Sequence, residues 1–143
     1  MSAEAYPAQA EDTRSLTIVF SGGKATFYGP YGVEELKARC EKNLIIKLLD
    51  GINANYRIIG NRIVISGPQV DAETAFRKAL LLAAVRECTR SPSKVYMVLN
   101  AVKGLDFYSL LFWVSKVIRA YENAGRSGVC RVARAFRILY GID

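Results

Sequence analysis

The chain has 143 residues, 51% of them apolar, with no histidine and with 20 Lys and Arg against 13 Asp and Glu, a formal charge of +7. That length and apolar share fit one packed core and exclude wholesale disorder, while the missing histidine excludes Ser-His-Asp and Cys-His catalysis and the usual zinc sites. An excess of positive charge favours polyanionic partners, nucleic acid before acidic membrane surface.

Residues 1–13 show no helical or strand periodicity and contain Pro7, so a flexible tail is expected ahead of a single domain over 14–143. Two β-rich runs, "SLTIVF" and "ATFYG", flank Ser21-Gly22-Gly23-Lys24 and predict a hairpin over about 15–29. A second hairpin, "YRII" and "RIVIS" around Gly60-Asn61, is expected within about 55–66. Together they predict one small antiparallel sheet.

Between the hairpins, Leu36, Cys40, Leu44 and Leu48 fall on one helical stripe, with Glu34 and Glu35 at its start and Gly51 as its stop. This predicts a helix over about 33–50. A longer one follows at about 71–89, apolar on nearly every side from Ala79 to Val85, and is expected to be the most buried. Ser91-Pro92 and Gly104 bound a helix at 92–103, and Asp106 is the N-cap of another at 106–123. The last helix is expected at 128–140. The predicted fold class is therefore α+β: a predominantly helical bundle of four or five helices with a small antiparallel hairpin sheet.

Charge is uneven. Residues 1–14 carry Arg14 against Glu4, Glu11 and Asp12, net −2, whereas 94–143 carry eight Lys or Arg against Asp106, Glu122 and Asp143, net +5. On the last helix Arg131, Arg134 and Arg137 share an arc facing away from Val132, Phe136, Leu139 and Tyr140. Arg126 precedes that helix, and Lys116 and Arg119 lie off the apolar stripe of the one before it. If the two helices pack antiparallel, all six cations are expected to line one groove suited to phosphate. Lys42, Lys47, Arg57 and Arg62 form a secondary basic patch. Tyr108, Phe112 and Trp113 leave their helix apolar on a second side, as a protein interface or self-association surface would.

The remaining motifs carry no chemistry. "SGGK" and "SPSK" match a serine-lysine string, but one is a hairpin turn and the other a helix start. Gly22-Gly23-Lys24 lacks the spacing of a phosphate loop. Glu34, Glu35 and Glu41 read as a solvated helix face. Cys40, Cys88 and Cys130 form no C-x-x-C pair and are expected to be small buried hydrophobes. Their odd number and the absence of a leader predict a reducing, cytoplasmic compartment. The longest apolar runs are too short to cross a membrane. No catalysis, cofactor or metal is expected.

"VEELKARCEKNLIIKLLDG" as a leading helix, "YRIIGNRIVIS" as a β insertion, then "FRKALLLAAVREC" and "RVARAFRILYG", give an organisation that resembles the small subunit of archaeal type I-A CRISPR effector complexes. The resemblance implies a non-catalytic subunit of a ribonucleoprotein in antiviral defence. Such a subunit would line up beside its neighbouring subunits, steady guide RNA or a single-stranded target through phosphate contacts, and leave sequence reading to the guide. Two other functions fit the same residues: a virus- or chromatin-type structural protein coating DNA, and a protein-interaction module that binds no nucleic acid.

Overall fold

Gly22 and Gly23 both take positive φ, 60° and 78°, which the two central positions of a tight hairpin turn require and which glycine adopts without steric cost. They join β1 (Leu16–Ser21) to β2 (Lys24–Tyr28), and Gly60-Asn61, with positive φ (61°) at Gly60 alone, joins β4 (Asn55–Ile59) to β5 (Arg62–Ser66). In the computed structural model, which describes residues 16–29 and 36–143, β1 pairs with β5. A further strand, β3 (Leu36–Arg39), adds to β2. The result is a five-stranded, wholly antiparallel sheet in the order β3-β2-β1-β5-β4.

Among the described residues, four helices accompany the sheet: α1 (Lys42–Gly51), α2 (Gln69–Glu87), α3 (Pro92–Lys103) and α4 (Phe107–Leu139). The fold is α+β, with a sheet too large for the small hairpin sheet expected on a helical bundle, and that expectation is corrected. The cause lies mainly in residues 36–39. Leu36, Cys40, Leu44 and Leu48 satisfy a helical stripe, but Leu36 and Ala38 also alternate with Lys37 and Arg39. Pairing with β2 satisfies the main-chain groups of that segment and selects the two-residue period, so the helix expected from 33 begins only at Lys42. Residues 33–35 and the expected 1–13 tail lie outside the described residues.

One face of the sheet packs inward through Leu16, Ile18, Ala25, Phe27, Leu36, Ala38, Ile63 and Ile65. It meets α2, where Phe76 stands edge-on to Phe27 with ring centroids 5.7 Å apart. Helix α2 is the most buried, as its sequence requires: every residue from Lys78 to Val85 is buried, and α1, α3 and α4 all pack on it. Lys78 reaches out of this layer to donate to the Lys103 carbonyl at the end of α3, 2.7 Å away, and its burial lowers its pKa.

The expected helices at 106–123 and 128–140 are the two arms of α4, which reverses at Gly125 (φ 58°, ψ −140°). Asp106 caps the first arm by accepting from the Ser109 N–H at 2.8 Å. The arms run antiparallel: Trp113 lies against Phe136 and Tyr140, and Gly128 against Ala120. Cys88, at the end of α2, is bonded to Cys130 on the second arm. This corrects the reading of all three cysteines as free hydrophobes, which holds only for buried Cys40. A disulfide is rare in reducing cytosol, so the thiol argument for a cytoplasmic compartment falls with it. No helix among the described residues is long and apolar enough to cross a membrane.

Candidate nucleic-acid interface

Alternation along a strand places neighbouring side chains on opposite faces. With Ala25, Phe27, Leu36, Ala38, Ile63 and Ile65 turned inward, Lys24, Lys37, Arg39 and Arg62 must point outward, and the pairing of Arg57 with Val64 puts it on the same outer face. All five are exposed. None of the five strands contains an aspartate or glutamate. The outer face of the sheet therefore carries five cations and no carboxylate from its own strands, with Thr17, Val19, Ser21, Thr26, Tyr28, Asn55, Ile59, Val64 and Ser66 as its uncharged positions.

Sequence reasoning found only Arg57 and Arg62 of this set. In the sequence Lys24 falls in the Ser21–Lys24 turn, and Lys37 and Arg39 fall within the helix expected over 33–50. The available signal was parity: in "KATFY", "LKAR" and "RIVIS" each cation sits one residue from an inward apolar position. The secondary patch is divided by the structure. Lys42 donates to the Gly60 carbonyl at 3.1 Å and Lys47 to the Tyr96 hydroxyl at 2.9 Å, both from α1, while Arg57 and Arg62 lie on the outer sheet face.

The six cations of α4 do not line one groove. Arg137 is turned inward, its side chain only 12% exposed, and donates to the Cys88 carbonyl, Thr89 Oγ1 and Asp143 Oδ1. That pairing holds the Asp143 carboxyl below its usual range, with Lys94 adding to the effect. Arg126 is paired with Glu87 at 2.7 Å. Burial raises the Glu87 pKa, but hydrogen bonds from the Arg39 N–H and from Arg126 outweigh it and hold the carboxyl low. Arg119 sits on the rim of a shallow groove of about 340 Å3 between α2 and α4, beside Arg77 and Glu122. Lys116 lies over the Phe112 ring, 5.2 Å from its centroid. Only Arg131 and Arg134 remain exposed on the second arm with no hydrogen-bond or ion-pair partner among the described residues.

Of the three aromatics expected at an interface, Tyr108 is 81% exposed and Phe112 51%. Trp113 is 5% exposed and locks the two arms of α4 together, so it is a core residue. The described residues contain no cluster of Asp, Glu or Cys arranged to hold a metal ion. No family model, curated protein or solved structure matches the chain.

Proposed function

We propose that this protein binds nucleic-acid backbone without reading its sequence and carries out no reaction on it. The observation that supports this is the outer sheet face, where Lys24, Lys37, Arg39, Arg57 and Arg62 are exposed and no strand supplies a carboxylate. Guanidinium and ammonium groups in such an array match spaced phosphates, and contacts of this kind fix a backbone without discriminating bases. Arg131 and Arg134 extend the same chemistry to α4. Arg137 and Arg126 do not, since both already hold protein partners.

The narrower role that goes with this reading is the small subunit of an archaeal type I-A CRISPR effector complex, steadying nucleic acid beside its neighbours. Its support is the order of α1, the β4–β5 hairpin, α2 and the basic second arm of α4. The first part of the leading helix no longer belongs to that support, because residues 36–39 are a strand.

Fluorescence anisotropy with labelled RNA and DNA of random sequence tests the binding. Replacing Lys24, Arg39, Arg57 and Arg62 by Gln is expected to weaken affinity at least tenfold at low salt, by about 1.4 kcal/mol or more. An unaltered affinity removes the reading. Pull-down from the native source with and without nuclease tests the role within a complex.

A further inference from the structure

The five cations are not spread evenly over the sheet. Lys24, Lys37 and Arg39 occupy one margin, on β2 and β3, and Arg57 and Arg62 the other, on β4 and β5. Central β1 presents only Thr17, Val19 and Ser21 outward. The register makes the separation definite: Lys37 pairs with Thr26, Thr26 with Val19, and Val19 with Arg62, so Lys37 and Arg62 stand in one row across the sheet. Three inter-strand steps lie between them, a span of about 14 Å.

Two cationic margins about 14 Å apart, with a neutral strip between them, match the two phosphate ridges that flank a groove of a double helix, whose major groove is about 12 Å wide. One strand alone presents a single line of phosphates and would engage one margin at a time. Single-strand binders also stack successive bases on aromatic rings, and among the described residues the outer face carries one ring, Tyr28. Resting on the nucleic-acid reading above, we infer that the occupant of the sheet face is a duplex. It straddles β1 with one backbone on Lys24, Lys37 and Arg39 and the other on Arg57 and Arg62. Both margins recognise phosphate alone, so duplex DNA and an RNA–DNA hybrid are equally suited by charge.

The experiment is a binding comparison on the full chain, using a random-sequence DNA duplex, an RNA–DNA hybrid of equal length, and each strand alone. The expected result is a duplex or hybrid bound about tenfold or more tighter than either strand. K24Q/R39Q and R57Q/R62Q should each lower the salt slope on the duplex by about 1.8 units, from about 0.9 per lost phosphate contact. Urea midpoints report that both variants are folded. Single strands bound as tightly as duplex overturn the inference while leaving nucleic-acid binding in place. So does a slope that responds to one margin only. No binding to any of these probes overturns both readings.

Discussion

Arg137 donates a hydrogen bond to the main-chain carbonyl of Cys88, 3.0 Å away and 49 residues earlier in the chain. With Thr89 Oγ1 and Asp143 also accepting from it, this guanidinium ties the end of α4 to the turn after α2. Its replacement by Ala is expected to cost about 2 kcal/mol in urea unfolding, the scale of a charge-assisted bond that leaves a carbonyl unsatisfied. R131Q and R134Q should each stay within about 0.5 kcal/mol of the parent. Equal effects at all three positions would show that Arg137 is not a structural anchor.

The bond between Cys88 and Cys130 joins residues 42 apart in sequence. Loop closure over that length restricts the unfolded chain by about 4 kcal/mol on the chain-entropy estimate, so reductant should lower unfolding free energy by up to that amount. Cys40 is buried, and burial pushes its thiol pKa far up, so it should not react in the folded protein. Thiol titration is expected to count none in the native protein, one in urea, and three after reduction, since the chain has three cysteines and two are bonded. Three reactive thiols in urea without reductant would exclude the disulfide.

Arg86 grips Glu41 through two bonds, 3.0 Å and 2.7 Å, and this hydrogen bonding holds the Glu41 carboxyl below its ordinary value of 4.5. Because the folded-state value lies below the unfolded one, the pair stabilises the fold fully above about pH 4.5 and loses its effect as pH falls through the lowered value. Glu87, held low by Arg39 and Arg126, acts in the same window and direction. Urea midpoints measured from about pH 7 down to about pH 3 should therefore fall more steeply for the parent than for E41Q. Parallel curves would mean that Glu41 titrates alike in both states.

Gly128 lets the arms of α4 approach: a Cβ built there would lie 2.5 Å from the Ala120 carbonyl oxygen. Helix propensity alone predicts that G128A stabilises by about 1 kcal/mol. The clash opposes it, with overpacking costs of about 1–3 kcal/mol, so the substitution should be net destabilising. A raised unfolding midpoint would contradict the close packing of the arms.

Elements whose side chains carried one consistent period were legible in sequence. Helix α2 was legible because nothing from Ala79 to Val85 suits solvent, and α3 because Ser91-Pro92 and Gly104 mark both ends. Both hairpins were legible from their glycine turns. The strand at 36–39 was not, since "LKAR" satisfies either period and only pairing with β2 decides between them. That one ambiguity also hid most of the basic face: on a helix Lys37 and Arg39 have no relation to Lys24, and on β3 they stand beside it. Charge count alone could not separate Arg137 from Arg131 and Arg134, because its partners Cys88, Thr89 and Asp143 become neighbours only when the chain folds.

Binding that depends on phosphate releases counterions, so salt dependence measures the role of the outer sheet face most directly. Log affinity against log salt, for a random-sequence nucleic acid, should flatten by about 3 units when Lys24, Arg39, Arg57 and Arg62 are all changed to Gln, at about 0.7–0.9 unit for each lost contact. The urea midpoint should stay at the parent value. A folded variant that keeps the parent's slope would contradict a role for this face in holding nucleic acid.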